Sequence, residues 1–230
     1  EFILGAAPAG SSLRLRGYVP ELPGQPLGRG TLQVHVNGRA FELPAATGTF
    51  DWLLPVATVS GPTRISLRPS ATAPLPDEDD RPVGAKLALL EILPTLPSRT
   101  FDFATAGALR LAAQGIDQDG WMAREATLHL PANTLAQDVT LRFEIPDWSG
   151  APTTVLRSQL VPSADQPVAP VPAFTIHTLA AGAYATVIVR IPASVTPQML
   201  RFEAPADFPL PAPDTRRRSA RLLQVDLAPV

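Results

Sequence analysis

Asp117-Gln118-Asp119-Gly120 places two carboxylates at alternate positions ahead of a glycine, the residue types that close a loop wrapped around a hard cation. The third acidic position and the later bidentate glutamate of such a loop are missing, so a tight turn built on aspartate and glycine is preferred to a metal site. Asp77-Glu78-Asp79-Asp80 is a denser acidic run, expected to be a solvated loop whose last members bond nearby amides or Arg81. His35, His129 and His177 each sit in an alternating run with no second histidine at a ligand spacing. No nucleophile-elbow serine, dinucleotide fingerprint or phosphate loop occurs. The expectation is no catalytic set, no metal and no cofactor. A hydrolase would instead need carboxylates gathered in a cleft, about 5 to 9.5 Å apart for a glycosidase, and no sequence-adjacent pair announces one.

Asp79 and Arg81 recur as Asp214 and Arg216 at one place in a repeated block, so the two pairs are expected to do the same job twice. An aspartate two residues before an arginine in a turn can accept backbone N–H groups and hold the guanidinium, which fixes the lead-in to the next strand. A structural role is preferred to a ligand role for all four.

The aromatic residues are the candidate sugar platforms. Trp52 and Tyr184 lie in alternating runs and are expected in the core. Trp121 follows Asp119-Gly120, and Trp148 lies in Pro146-Asp147-Trp148-Ser149-Gly150 beyond a strand end. These two, with Asp119 and Asp147 beside them, are the ligand-binding candidates. Burying one face of an aromatic, roughly half of its ~150 to 250 Å², contributes about 2 to 3 kcal/mol at ~25 cal/mol per Å². Millimolar affinity needs ~4 kcal/mol, so one platform requires flanking hydrogen bonds or several modules acting together.

The elements that must position these groups read as strands. Leu13 to Val19 and Thr31 to Val36 alternate strictly, Asn37-Gly38 signals a type I′ hairpin, and Arg39 to Leu43 returns. Further strands are expected over Thr49 to Leu54, Thr63 to Arg68 and Ala85 to Leu93. In the second half they fall over Ala126 to Leu130, Val139 to Ile145, Val155 to Val161, Phe174 to His177, Ala183 to Ile191, Met199 to Glu203 and Ala220 to Leu227. Leu87 to Leu93 and Gly107 to Gln114 alone tempt a helical reading.

Internal repetition organises this list. Asp79 to Ile92 aligns without a gap on Asp214 to Leu227 at an offset of 214 minus 79, or 135, and Leu13-Arg14-Leu15-Arg16 before Pro20 matches Val139-Thr140-Leu141-Arg142 before Pro146 at 146 minus 20, or 126. Because Gln224-Val225-Asp226-Leu227 alternates polar and apolar, the shared element is a closing strand, and the helical reading of Leu87 to Leu93 is rejected. The fold expected is therefore all-β: two tandem antiparallel β-sandwich, jelly-roll-like modules related by duplication, over 1–97 and 98–230. Phe101 to Pro131 has no counterpart in the first half. It either adds strands to the second module or crosses over to complete the first.

Composition sets outer bounds. A hydrophobic share of 45% is ample for packed cores, and 27 prolines spread between apolar runs suit short strands joined by rigid turns. A net charge of −2 leaves no basic excess for a phosphate backbone, so no nucleic-acid partner is expected. Zero cysteine excludes disulfides and thiolate chemistry. No apolar run is long enough for a membrane-spanning segment. Glu1-Phe2-Ile3-Leu4 lacks the basic and long apolar regions of a signal peptide and reads as a cloning scar followed by a segment excised from a longer chain. The compartment stays open, extracellular or cell-surface being favoured over cytoplasmic.

The tail of each repeat resembles the closing motif of bacterial jelly-roll domains found in and beside glycosyltransferases and polysaccharide-assembly proteins. Asp79, Arg81, Val83, Gly84, Leu87 and Leu89 to Ile92 fit it in the first copy, with Ala73 where phenylalanine is expected. In the second, Phe208, Pro209, Asp214 and Arg216 fit, while Arg218 and Ser219 stand in place of Leu-Gly. Gly115 to Trp121 is similar to the glycine-tryptophan opening of such domains. The resemblance implies a non-catalytic, glycan-associated module with a glycan or polysaccharide partner. The alternative is a structural or protein-interaction module of a surface or secretion assembly, with a protein partner.

Overall fold

The computed structural model describes residues 1–21, 30–57, 60–74, 82–94, 99–147, 153–162 and 174–230. In the first half the strands are β1 (Phe2–Leu4), β2 (Ser12–Val19), β3 (Thr31–Val36), β4 (Arg39–Pro44), β5 (Gly48–Pro55), β6 (Thr63–Pro69), β7 (Ala73–Pro74), β8 (Pro82–Val83) and β9 (Lys86–Leu93). Then come β10 (Arg99–Asp102), β11 (Leu109–Leu111), β12 (Ala113–Ile116), β13 (Met122–Leu130), β14 (Gln137–Glu144), β15 (Thr153–Pro162) and β16 (Thr175–Ala180). The last five are β17 (Tyr184–Ile191), β18 (Gln198–Glu203), β19 (Phe208–Pro209), β20 (Arg217–Arg218) and β21 (Arg221–Pro229). Among the described residues no helix is long and apolar enough to cross a membrane.

The β3–β4 hairpin turns on Asn37 and Gly38, at φ of 51° and 84°, the two positive values a type I′ turn requires. Asn37 Oδ1 also accepts from the Arg64 amide at 2.9 Å, tying the turn to β6.

Four sheets face each other in pairs. β1-β6-β3-β4 and β11-β5-β2-β9 enclose one apolar cluster, with Leu13, Leu15, Val34, Phe41, Phe50 and Trp52 at its centre. β12-β13-β18-β15-β16 and β10-β21-β14-β17 enclose a second around Leu128, Leu141, Phe143, Leu200, Phe202 and Val225. Alternation builds both cores, since every second residue of a strand points inward. β2, for example, buries Leu13, Leu15 and Val19.

The halves share a connectivity: β6-β3-β4 and β5-β2-β9 in one, β18-β15-β16 and β17-β14-β21 in the other. Strands β6, β7, β8 and β9 begin at Thr63, Ala73, Pro82 and Lys86, and β18, β19, β20 and β21 begin at Gln198, Phe208, Arg217 and Arg221, so each starts 135 residues later (198 minus 63). The same irregularity recurs as well. Ala88 is skipped where β9 pairs with Arg16 and Gly17 of β2, and Leu223, at 223 minus 88 or 135, is skipped where β21 pairs with Arg142 and Phe143 of β14. A bulge of this kind bends the strand and raises its twist, so both closing strands curve at one point.

Phe101 to Pro131 serves both sandwiches. β10 pairs with β21, and β12 and β13 join the second sandwich, but β11 runs parallel to β5 and extends the first, with Leu109 opposite Asp51, Arg110 opposite Trp52 and Leu111 opposite Leu53. Leu53 is packed into the second core and Ala112 into the first. Within Gly107 to Gln114 the structure is a turn followed, from Leu109, by strands rather than helix: Leu109, Leu111 and Ala113 recur with period two, and β5 and β13 offer free edges. Phe2 to Leu4, given no element by sequence, pairs with β6.

Candidate functional site

Where the sandwiches meet lies a cleft of about 750 Å³. The β4–β5 loop supplies one wall through Pro44, Ala46 and Thr47. The β10–β11 loop gives Ala104 and Ala106, and the β12–β13 turn gives Asp117, Gln118 and Asp119. The segment before β20 completes it with Pro213, Asp214, Thr215 and Arg216. Concave sites at such junctions, in the range of about 300 to 1,000 Å³, are where small ligands usually bind.

The turn that carries the aspartates is built by backbone. The Asp117 amide donates to Trp121 O at 2.9 Å, and the Gly120 amide donates to Asp117 O at 3.0 Å. Gly120 has φ of 84°, and a Cβ there would meet Leu222 O at 2.2 Å, so glycine is demanded both by conformation and by the approach of β21.

Arg216 organises the floor. Its Nη1 donates to Asp117 Oδ2 at 2.7 Å and Asp119 Oδ1 at 3.1 Å, and its Nη2 donates to Asp119 Oδ2 and Asp214 Oδ2, both at 2.6 Å. Nε reaches Asp214 Oδ2 at 2.9 Å, and the Arg216 amide donates to Asp214 Oδ1 at 2.8 Å. Arg218 takes the other side of Asp117, with Nε 2.6 Å from Oδ2 and Nη2 3.0 Å from Oδ1. Arg217, between them in the extended chain, points away to Asp207, 3.3 Å from Nε. A guanidinium therefore occupies the place a cation would take between Asp117 and Asp119. Among the described residues no group of three or more His, Cys, Asp or Glu side chains is arranged to hold a metal.

These contacts set the charge states. The hydrogen bonds that Arg216 donates to Asp119 and then Asp214 hold it protonated well above the usual arginine range, against its desolvation. Burial pushes the Asp119 carboxyl up, but bonding and charge from Arg216 outweigh it and hold it below the ordinary carboxylate value. Asp214 is lowered chiefly by its hydrogen bond to Arg216. A glycosidase needs one carboxyl raised enough to carry a proton at neutral pH. Asp119 and Asp214 are displaced in the opposite direction.

Sequence separated Asp119 and Trp121, as ligand candidates, from Asp214 and Arg216, as structural ones. The structure gathers Asp119, Asp214 and Arg216 into one network. Trp121 is half-buried beside it, bridged to Arg221, whose guanidinium lies 5.9 Å from the indole centre. Arg221 Nε also donates to Asp119 O at 2.8 Å. Asp147 is exposed on the loop after β14 and does not line the cleft. Asp79, Arg81 and Trp148 lie outside the described residues. Trp52 is in the first core, stacked on Phe50 at 4.3 Å, whereas Tyr184, expected in the core, is 79% exposed because it points outward from β17. Arg218, Arg221 and the wall from Pro44 to Thr47 were missed. Their only signal was arginines of sign opposite to Asp117 and Asp119, about a hundred residues away in the chain.

One further pairing has catalytic residue types. Ser158 Oγ lies 2.8 Å from His177 Nε2 across β15 and β16, but Ser158 is only 2% exposed within a strand, out of reach of a substrate.

No family model matches this chain, and no curated protein does. Three solved structures are similar to it at low likeness. The N-terminal CBM22-1–CBM22-2 tandem domain of Xyn10C from Paenibacillus barcinonensis is 13% identical, with 97% of this chain and 80% of that one covered and a TM-score of 0.35. The isomalto-dextranase of Arthrobacter globiformis T6, complexed with panose, is 10% identical over 97% of this chain and 35% of that one, with a TM-score of 0.36. The ANX2 ectodomain of Arabidopsis thaliana is 9% identical over 97% and 79%, with a TM-score of 0.31. No residue role is carried over from them.

Proposed function

We propose that this chain is a non-catalytic, glycan-associated pair of β-sandwich modules of a bacterial protein, with boundaries at 1–97 and 98–230 and an origin in duplication. The duplication is supported by the 135-residue offset shared by four strands and the bulge. The single observation that carries the function is the cleft chemistry. Carboxylate oxygens of Asp117, Asp119 and Asp214 are held in place by Arg216, beside the Gln118 amide, the hydroxyls of Thr47 and Thr215, and small apolar faces of Pro44, Ala46, Ala104, Ala106 and Pro213. Such a set accepts and donates hydrogen bonds to hydroxyl groups at fixed positions, and groups already held in place lose little freedom on binding. Three carboxylates against the guanidiniums of Arg216 and Arg218 leave a formal charge of −1, which favours a neutral sugar over an anion.

The test is a glycan array followed by calorimetric titration of the best neutral oligosaccharide. Asp119→Asn should weaken binding about tenfold or more with the fold retained. No binding by any neutral glycan would remove the reading.

A second reading, a structural or protein-interaction module, is favoured by a different observation. Neither tryptophan of the described residues is exposed, and the exposed apolar residues Ile176, Tyr184 and Ile188 sit on the outermost strands β16 and β17.

A further inference from the structure

β5 and β17 hold the same place in the two sandwiches. Each is the neighbour of the long central strand, β2 in one and β14 in the other, on the side away from the closing strand. Arg14 of β2 lies opposite Leu53, and Thr140 of β14, at 140 minus 14 or 126, lies opposite Ile188, so Ile188 is the counterpart of Leu53. Their surroundings differ completely. Leu53 is 2% exposed, under the second core and paired with Leu111 of β11. Ile188 is 61% exposed, and among the described residues β14 is the one strand paired with β17.

An outermost strand presents a row of backbone donors and acceptors that another extended chain can pair with, and proteins normally blunt such an edge with charge, proline or a cover. Among the described residues β17 has none of these at its middle. Thr186, Val187 and Ile188 are uncharged and β-branched, and the charge nearest in the strand, Arg190, is already engaged by Asp138 at 2.9 Å. In the first sandwich the equivalent edge is closed by a parallel strand that leads into the next sandwich.

We infer that β17 is a docking edge for the leading strand of a further sandwich of this kind, which pairs in parallel with Thr186 to Ile188 as β11 pairs with Asp51 to Leu53. The occupant's chemistry follows from β11: a short extended segment of Leu-Arg-Leu type, with its last apolar residue opposite Ile188 and an apolar sheet behind it that covers Ile188 as the second core covers Leu53. This inference is independent of the glycan reading, because the cleft and β17 share no residue.

The experiment is a longer chain in which residues 94–230 are repeated after Val230, compared with the 230-residue chain by hydrogen exchange. The expected result is slowing of the β17 amides by about tenfold or more, towards the rates of the β5 amides that face β11. Ile188→Lys in the original copy should restore fast exchange while the strand signal in circular dichroism shows the appended sandwich folded. Unchanged β17 exchange beside a folded appended sandwich would overturn the inference. So would a dimer of the 230-residue chain with β17 already protected, since a twin copy would then own the edge.

Discussion

Arg216 holds Asp119 through both terminal nitrogens, at 3.1 and 2.6 Å, across 97 residues of chain. A forked pair of this kind fixes direction as well as distance, and the same guanidinium secures Asp117 and Asp214. Arg216→Ala should therefore destabilise the fold by about 2 to 3 kcal/mol, since it strands partly buried carboxylates. The loss would lower Tm by roughly 5 to 10 °C in a domain of this size. Asp214→Ala, which leaves Arg216 two other partners, should cost about 1 kcal/mol. Chemical denaturation of both variants and of Arg216→Lys checks this, and lysine should recover less than half of the loss because it lacks the fork.

Gly120→Ala should be more damaging than either. The added Cβ would lie 2.2 Å from Leu222 O and 3.0 Å from Phe103 O, at a φ that L residues resist. A cost above about 3 kcal/mol is expected, together with loss of any ligand binding in the cleft. Alanine tolerated there with unchanged Tm would show that β21 does not press on the turn.

Much of this was legible in sequence. The strands that alternate over five residues or more, as at Leu13 to Val19 and Val139 to Ile145, were visible for that reason, whereas β5 is buried at every position from Phe50 to Pro55 because it is covered on both faces. Short pairings such as β7, β8, β19 and β20 span two residues and leave no period to detect. The cleft was half legible. Asp119, Asp214 and Arg216 drew notice through local spacing, but their convergence depends on β21 passing over the Gly120 turn, a contact between residues a hundred apart. Tyr184 was misplaced because alternation marks two faces without saying which one is buried. Its neighbours Ala185, Val187 and Val189 are the ones packed against the core.

Stability should fall as the solution is acidified through the histidine range. His129 is buried between the sandwiches, with Phe41 edge-on at 5.0 Å and Arg39 Nη2 3.4 Å from Nδ1. Burial, and then the charge of Arg39, push its pKa from 6.5 down to about 4. The unfolded chain therefore binds a proton that the folded chain refuses between pH 6.5 and 4, and stability present above 6.5 is lost across that window, of order 3 kcal/mol in all. Asp119 and Asp214, held below their ordinary 3.8, contribute their own losses only under that value. Urea unfolding at a series of pH values should show the decline, and His129→Leu should flatten it.

Leu53→Ala should act on both halves together. Its side chain belongs to the second core although its strand belongs to the first. Removing it should cost about 2 to 5 kcal/mol. The loss should appear at the same denaturant concentration whether unfolding is followed at Trp52, in the first core, or at Trp121, beside the second. Two separated transitions in the wild-type chain would contradict the shared packing.

The parallel seam between β11 and β5 also orders events in time. During synthesis the first sandwich emerges with all of its other strands before Leu109 to Leu111 leaves the ribosome, so its β5 margin stays raw until the following segment arrives. A nascent chain paused in that interval would show an unsatisfied strand to every neighbour, and the few residues after the interval act as an intramolecular guard against mispairing.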